Sequence, residues 1–284
     1  MGEFTPDAAE ALKAAEAVCG PVELEEISDR RGSAVWKATG PLATVSIKIG
    51  TGEASETTAR EAAVLDRLTG YTVAAGRFGE GVWYVTPWLS GPSTWRVFRP
   101  LRKDREADRT EAKVGAVALA LAVADLHADG WVHGDIQPAH GIHTESGDVR
   151  LIDFAWSRKL GTPPPWTAFD GTMVHLTAPE LAARVSTGPQ PVETTQAADV
   201  YALAGTLWAC TTGNWHLDYE AAAIDRRIVG PAGLRDAIAA RRVPLAAVTR
   251  WPDLQAILRE VLLSEPDSRP SASELAALIG TLDT

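Results

Sequence analysis

Two acidic residues that follow short apolar runs constrain the fold of this chain more than any other feature. Asp135 lies in the segment 131–140 (WVHGDIQPAH), and Asp153 lies in the segment 151–154 (LIDF). Phosphoryl transfer uses such a pair, because one carboxylate orients the attacking hydroxyl and another holds a metal ion on the nucleotide phosphates. The pattern therefore indicates a phosphoryl-transfer site on loops beside short strands.

These two segments resemble the catalytic and metal-binding loops of the protein kinase superfamily, in its divergent, bacterial, eukaryotic-type Ser/Thr branch. Further matches follow in the order that the family has. They are the lysine-ended run 45–48 (VSIK), the helical pattern 58–68, the A-P-E triplet 178–180, the helical pattern 198–205 and the S-R-P triplet 268–270. Motifs in one consistent order are stronger than any of them alone, and together they cover nearly the whole chain. The resemblance also implies that Arg269 of the S-R-P triplet pairs with Glu180 of the A-P-E triplet.

The resemblance implies an α+β, bilobal protein-kinase-like fold with the active site between its lobes. Residues 1–89 would form a small antiparallel β-rich lobe with a leading helix and one main helix, and residues 90–284 a larger, mostly helical lobe. Alternating patterns predict strands near 22–27, 34–38, 43–49, 71–76 and 82–85. Helical periodicity predicts helices over 56–68, 109–128, 195–210, 234–240, 252–263 and 271–282, and the leading helix begins at Thr5-Pro6-Asp7.

The composition of the chain limits the kinds of partner and the location that are expected. The 284-residue chain is 45% hydrophobic, which allows a sizeable core, and its net charge of −10 disfavours nucleic acid as a partner. The longest apolar run, 114–124, is too short for the roughly 20 residues that span a bilayer, so no membrane is expected. Two cysteines cannot form a disulfide framework, which favours a reducing, cytoplasmic location.

The resemblance assigns the residues that handle phosphate and hydroxyl groups. Lys48 would hold the nucleotide phosphates and Glu61 would pair with it, with Glu56 as the alternative partner if the helix register differs. Asp135 would orient the acceptor hydroxyl. Asp153 would hold a divalent metal, Mg or Mn, together with His140.

Adenine recognition is assigned to the segment 82–89 (VWYVTPWL). The resemblance makes Thr86 the gatekeeper and sets the backbone of Pro87 and Leu89 against the base of ATP. A proline is compatible at this position if only its carbonyl is used, because it lacks just the N–H group. Arg30 is a further candidate that either contacts a phosphate or faces solvent in its turn.

Several positions depart from the family pattern. The glycines that let backbone N–H groups approach phosphate are replaced by Ser28, Arg30 and Ser33. His140 stands where the family has a metal-binding asparagine, and an imidazole suits Mn²⁺, Zn²⁺ or Fe²⁺ better than Mg²⁺. Gln137 replaces a lysine that would add positive charge at the transferring group.

One further departure and the tryptophan content concern regulation and peptide binding. Gly134 replaces the arginine that receives an activation-loop phosphate in many regulated kinases, so activity is predicted not to depend on that switch. Ten tryptophans are many for this length, and Trp156 and Trp166 could grip a peptide or pack in the core.

Three functions follow from the matches and the departures. The first is an ATP-dependent phosphotransferase acting on Ser/Thr hydroxyls of a protein or peptide. The second is a catalytically weak or inactive pseudokinase that binds nucleotide or peptide as a partner module, and the third is a small-molecule phosphotransferase. The arginine-rich, lysine-poor composition is typical of a high-GC bacterium, where such single domains resemble components of peptide natural-product biosynthesis that work with a partner enzyme.

Overall fold

A computed structural model describes residues 9–71, 74–104, 107–169, 173–247 and 249–284. The chain divides into two compact units. The N-terminal unit contains the chain up to Leu89 and the segment Phe154–Trp156, and the C-terminal unit contains Ser90–Asp153 and Ser157–Thr284. A sheet dominates the first unit and helices dominate the second, which confirms the predicted α+β class.

The N-terminal unit is a five-stranded antiparallel sheet with two helices. Its elements are helix α1 (Ala9–Cys19), strands β1 (Glu23–Arg30), β2 (Ser33–Thr39) and β3 (Thr44–Gly50), helix α2 (Glu53–Leu65), and strands β4 (Ala74–Phe78) and β5 (Gly81–Pro87). The strand order is β1-β2-β3-β5-β4, so β3 lies at the centre. The predicted start of the leading helix at Thr5-Pro6-Asp7 lies outside the described residues, as does part of the predicted strand 71–76.

One face of α1 completes the core of this unit. Ala11, Ala15 and Cys19 recur every four residues and are fully buried in one cluster with Ile47 of β3 and Val85 of β5. Small side chains let the helix approach the sheet closely, and residues four apart lie on the same face of a helix. The helix therefore covers the centre of the sheet.

Most of the apolar face that the pattern predicts for α2 is confirmed, since Ala62, Val64 and Leu65 are buried. Ala63, predicted on the same face, is exposed, whereas Thr58 and Glu61 are buried. Apolar periodicity does not include Glu61, because this acid is buried by pairing with a lysine, described below. Charge pairing, in addition to hydrophobicity, sets the rotation of this helix.

The C-terminal unit is mostly helical. Its elements are helices α3 (Thr94–Val97), α4 (Arg99–Lys103) and α5 (Thr110–Ala128), strands β6 (Trp131–Val132), β7 (Gly141–His143), β8 (Val149–Leu151) and β9 (Arg158–Lys159), and helices α6 (Pro179–Thr187), α7 (Gln196–Thr212), α8 (Arg226–Ala239), α9 (Pro252–Leu263) and α10 (Ala272–Gly280). Among the described residues, no helix combines the length and the apolar character that crossing a bilayer requires.

Helix α7 is the central element of this unit. Every residue from 198 to 212 is buried, and the sequence of the helix is apolar on all sides. A helix of that kind is expected in the interior of a protein. Thr195 caps its start by accepting a hydrogen bond from the Ala198 N–H, and Gly213 ends it in a left-handed conformation.

Short strand pairs carry the loops of interest. β6 pairs with β9, and β7 pairs with β8, both antiparallel. The segment 133–140 follows β6, and residues 152–153 follow β8. The sequence predicted a helix over 234–240, and α8 begins earlier, at Arg226, with a kink at Gly230, where the backbone is not helical.

Candidate active site

Lys48 and Glu61 form an ion pair within the N-terminal unit. Lys48 lies on β3 opposite Tyr84 of β5, and its ammonium is 2.5 Å from Oε2 of Glu61 on α2. The Glu61 side chain is only 3% exposed, so this pair is shielded from water. Of the two glutamates considered, the structure pairs Glu61 with the lysine, while Glu56 accepts a hydrogen bond from Arg60 on the helix surface.

The segment Phe154–Trp156 contacts the same helix. The Phe154 N–H donates to Oε1 of Glu61 at 3.0 Å, and the Phe154 ring meets Tyr71 edge to face with a centroid distance of 5.3 Å. The guanidinium of Arg60 lies 4.9 Å from the centre of the Trp156 ring, a distance typical of cation–π contact. Both carboxylate oxygens of Glu61 are thus used, one by Lys48 and one by the backbone.

A buried aspartate of α7 fixes the backbone of the loop after β6. Asp199 is 2% exposed, and its two carboxylate oxygens accept the N–H groups of His133 at 2.7 Å and of Gly134 at 2.9 Å. Its Oδ2 also lies 3.0 Å from His127 Nε2. Gly134 has φ = 76°, which a residue with a side chain adopts only under strain. The conformation of the loop therefore depends on the glycine and on Asp199.

Asp135 occupies this loop with its carboxylate largely buried. Gln137 Nε2 donates to both carboxylate oxygens, at 3.0 and 2.9 Å. Burial raises the pKa of Asp135 to about 6; the nearby Asp153 adds to this rise, while His140 and Gln137 oppose it. The carboxylate is therefore mostly ionised at neutral pH, with a proton affinity well above that of an exposed aspartate.

His140 lies between Asp135 and Asp153. Its Nδ1 is 2.9 Å from the backbone oxygen of Asp135, and its Nε2 is 3.6 Å from Asp153 Oδ2. One donor atom from each of these three residues lies within 4.8 Å of the others. An imidazole nitrogen with carboxylate oxygens is a donor set that divalent cations accept, so these residues fit a divalent metal.

The residues assigned to adenine lie at the end of β5. Thr86 pairs with Ser46 and Pro87 with Val45 across to β3, and Leu89 follows at the boundary of the unit. Pro87 is exposed and is the last residue of β5, although the N–H of the following Trp88 still donates to the Thr44 oxygen at 3.0 Å.

Arg30 lies at the tip of the β1–β2 hairpin and is exposed. The turn residues are Arg31 and Gly32, both with positive φ, and the Gly32 oxygen accepts the Thr51 N–H at 2.8 Å. A Cβ on Gly32 would lie 2.6 Å from the Thr51 oxygen. The turn glycine Gly32 thus allows the hairpin to pack closely against Thr51, which follows β3.

The sequence-predicted residues therefore form two sets, one in each unit. Lys48, Glu61, Thr86, Pro87, Leu89 and Arg30 belong to the N-terminal unit, and Asp135, His140 and Asp153 belong to the C-terminal unit.

A second long-range pair anchors the segment after the predicted activation region. Arg269 donates to both carboxylate oxygens of Glu180, at 2.5 and 2.8 Å, and to the Ala197 oxygen at 2.9 Å. This confirms the predicted pairing of the A-P-E glutamate with the S-R-P arginine. Trp166 is only 3% exposed and donates its N–H to the Val192 oxygen, so it packs in the core and is not available to grip a peptide.

Sequence reasoning missed the contact between Arg60 and Trp156. The sequence gives only a weak signal, an arginine next to Glu61 and a tryptophan two residues after Phe154. These residues suggest a contact only when the orientation of α2 is known. Since the predicted face of α2 was wrong at Ala63, this contact could not be found from the pattern alone.

Comparison with known proteins identifies the family. The sequence model of the protein kinase domain matches residues 81–278. Serine/threonine-protein kinase PkaA of Streptomyces coelicolor is 30% identical over 231 residues, which cover 76% of this chain and 38% of PkaA. Serine/threonine-protein kinase PknK of Mycobacterium tuberculosis is 30% identical over 174 residues, covering 61% and 14% of the two chains.

A human relative shows the same kind of match. Serine/threonine-protein kinase PAK 4 is 26% identical over 199 residues, which cover 69% of this chain and 30% of PAK 4. The chain thus spans well under half the length of these relatives. Since the family model covers more than half of this chain, the chain belongs to the protein kinase domain family.

Proposed function

We propose that the protein is an ATP-dependent phosphotransferase that acts on Ser or Thr hydroxyls of a protein or peptide. The observation that carries this proposal is the environment of Asp135, a buried carboxylate that accepts two hydrogen bonds from Gln137 on a loop that Asp199 fixes. A carboxylate held in one orientation can orient a hydroxyl group and accept its proton. The relatives named serine/threonine-protein kinases support the same class of substrate.

Asp135 orients the acceptor hydroxyl and receives its proton. The hydroxyl oxygen forms a bond to the γ-phosphorus of ATP while the bond to the bridging oxygen of ADP breaks. Gln137, which donates to both Asp135 oxygens, keeps the carboxylate in one orientation but adds no formal charge. Transfer is therefore expected to be slower than in an enzyme with a lysine at this position.

Lys48 holds nucleotide phosphates and Glu61 holds Lys48. The 2.5 Å pair supports this role, because a lysine anchored by a buried acid keeps one position for its charge. Thr86, Pro87 and Leu89 receive the adenine, and Arg30 is a candidate contact for a phosphate. A divalent cation held by His140 and Asp153 would neutralise charge on the phosphate oxygens.

A non-catalytic role is the second candidate, favoured by the β1–β2 hairpin. Ser28, Arg30 and Ser33 occupy the positions of the family's glycines, and the Gly32 oxygen accepts the Thr51 N–H. A pseudokinase would keep the fold and bind a nucleotide or peptide without transfer. The small-molecule phosphotransferase, the partner enzyme and the role in bacterial peptide natural-product biosynthesis remain predictions from the sequence, as does the cytoplasmic location.

Phosphate transfer from γ-labelled ATP to a Ser/Thr peptide library, run beside a panel of small metabolites, tests the proposal. We expect labelling of peptides and its loss in Asp135→Asn by at least about 100-fold, the usual contribution of general-base catalysis. Asp148→Asn, which makes the same change on an exposed turn nearby, is the matched control and should retain activity. Labelled metabolites would support the third function, and nucleotide binding without any transfer would support the pseudokinase.

A further inference from the structure

We propose that the outer surface of helices α3 and α4 binds an acidic segment of the peptide substrate. The inference rests on the proposed function and deepens it, because it names the charge that the substrate carries near its Ser or Thr. Docking requires neither nucleotide nor phosphate transfer, so it can be measured by itself. We call this surface the basic face; its residues are Trp95, Arg96, Arg99, Arg102 and Lys103.

Positive charge is concentrated here in a chain that is otherwise acidic. Acidic residues outnumber lysines and arginines by 37 to 27 in the whole chain. Between Glu80 and Asp104, however, no acidic residue occurs, and the basic residues of that stretch all lie between 96 and 103. An acidic ligand, which the net charge of −10 repels elsewhere, therefore meets a locally attractive surface here.

Helices α3 and α4 present these charges to solvent. Arg96, Arg99 and Lys103 are exposed and follow each other at intervals of three and four residues, a spacing that puts helical side chains on one side. The apolar residues between them are buried; they are Val97, Phe98 and Leu101. The apolar side chains thus anchor the two helices, and the cations remain within reach of a ligand.

Arg102 is held in place within the basic face. Its guanidinium lies 3.6 Å from the centre of the Trp95 ring and donates to two backbone oxygens, that of Trp95 at 2.5 Å and that of Cys210 at 2.8 Å. Burial lowers the pKa of Arg102, and the nearby Arg99 lowers it further, although an arginine stays charged at neutral pH. Because these partners are neutral, the positive charge of Arg102 is fixed in position without being cancelled.

The fold does not neutralise the other cations of the basic face either. Among the described residues, no carboxylate lies within ion-pair distance of its arginines or its lysine. Like charges on neighbouring helical turns repel one another, and the carboxylates of a bound peptide would relieve that repulsion. Arginine suits this role because its planar guanidinium binds a carboxylate through two parallel hydrogen bonds.

The start of α3 is bonded directly to the chain that carries Asp135. The Trp95 N–H donates to the oxygen of Pro138 at 3.0 Å, and the Thr94 hydroxyl donates to the oxygen of Gly141 at 3.3 Å. Both acceptors follow Asp135 within a few residues and belong to the same unit. A peptide whose acidic residues lie on the basic face is therefore anchored close to the carboxylate that would orient its hydroxyl.

An acidic peptide fits this surface better than a nucleic acid does. Proteins that bind single strands stack successive bases on free aromatic rings. In the basic face, Trp95 supplies the aromatic ring, and Arg102 already covers one of its sides. The net charge of −10 also repels a long phosphate backbone beyond the edges of the face, whereas a short acidic segment stays within it.

Fluorescence anisotropy of labelled peptides tests the inference on the full chain, without nucleotide and at low salt. Two peptides of equal length carry one Ser beside a block of glutamates or a block of glutamines. We expect the glutamate peptide to bind at least about tenfold more tightly than the glutamine peptide, and physiological salt should reduce this difference. The net charge of the protein alone would give the opposite order.

Charge reversal locates the binding. A triple variant of the basic face should weaken binding of the glutamate peptide by at least about tenfold. Its substitutions are Arg96→Glu, Arg99→Glu and Lys103→Glu. The matched control reverses two arginines and one lysine that are also exposed but lie outside the face, and it should lose less than about threefold because distant surface charges are screened. The control substitutions are Lys13→Glu, Arg77→Glu and Arg259→Glu. Circular dichroism checks that both variants fold.

An equal loss in the two triple variants, or no preference for glutamate over glutamine in the wild type, would overturn the inference. Tighter binding of a single-stranded oligonucleotide of the same charge would also overturn it and would assign the face to nucleic acid. If the glutamate peptide binds through the face but no phosphate is transferred, the proposed function fails and the docking surface remains. Transfer to Ser with a KM that neighbouring glutamates do not change would keep the function and overturn the inference.

Discussion

The Lys48–Glu61 pair and the Asp135–His140–Asp153 cluster arrange their charged side chains in different ways. In the first, a lysine and a buried glutamate lie 2.5 Å apart, and a backbone N–H satisfies the remaining oxygen. In the second, two carboxylates flank one imidazole, at 3.7 and 3.6 Å. The pair joins a cation to an anion at close range, whereas the cluster places two acids beside a single imidazole at longer distances.

The largest expected effect comes from breaking the neutral pair. Lys48→Met leaves the Glu61 carboxylate buried without its cation, which should lower the free energy of unfolding by about 3 kcal/mol. Urea unfolding at pH 7 measures this, and Lys48→Met combined with Glu61→Gln should recover part of the loss. The surface ion pair of Glu56 with Arg60 provides the control. Glu56→Gln should lower the free energy of unfolding by less than about 0.5 kcal/mol. Equal losses in Lys48→Met and Glu56→Gln would contradict the distinction between the two kinds of pair.

A buried histidine outside both regions, His216, should make the stability of the protein depend on pH. Burial lowers the pKa of His216 to about 3, and the nearby His175 lowers it further in the same direction. The folded state keeps this ring neutral while the unfolded chain takes up a proton below about pH 6.5, so stability is lost as the pH falls from 6.5 toward 3. From pH 6.5 to pH 5, His216 alone should cost about 2 kcal/mol.

Urea unfolding at pH 7, 6 and 5 measures that slope in the wild type and in His216→Asn. The variant should lose less stability per pH unit, whatever its stability at pH 7. Parallel slopes in the two proteins would show that His216 is not the group responsible.

A smaller effect should come from the cation–π contact that joins α2 to the segment after Asp153. Trp156→Leu removes the ring under Arg60 and should lower the free energy of unfolding by about 1 kcal/mol. Arg60→Met should cost a similar amount, and the double variant should cost less than the sum because the two residues share one contact. Strict additivity in this double-mutant cycle would mean that the two side chains do not interact.

The smallest effect is expected in the cluster itself. Asp153→Asn changes a side chain that is 41% exposed and, in a chelated sample, should change the free energy of unfolding by no more than about 0.5 kcal/mol. Adding Mn²⁺ should then raise the melting temperature of the wild type but not of the variant, since a ligand stabilises the state that binds it. If Asp153→Asn lowered the free energy of unfolding as much as Lys48→Met does, the two regions would not differ in this respect.

Much of this arrangement could be predicted from the sequence because it depends on residue order. The strands, the long helices and the partners Glu180 and Arg269 followed from motifs that occur in a fixed sequence along the chain. Such features need only the identity and approximate place of each residue.

What could not be predicted depends on rotation and on local backbone contacts. The buried face of α2 was misplaced at Ala63, because a buried salt bridge does not add to an apolar pattern. The direction of the His140 ring depends on the backbone oxygen of Asp135, five residues earlier, which no periodicity reveals. The helical turn before Gly230 was not predicted, and the kink at Gly230 is the break that a Gly-Pro pair favours.

The two bonds from Asp199 have a consequence for hydrogen exchange. The amide protons of His133 and Gly134 are in a loop, where amides commonly exchange with solvent within minutes, but their acceptor belongs to the most deeply buried helix of the protein. They can exchange only when α7 itself opens, so their protection factors should equal those of the core and not those of the neighbouring turns. The loop that carries Asp135 would thus be as long-lived as the hydrophobic interior.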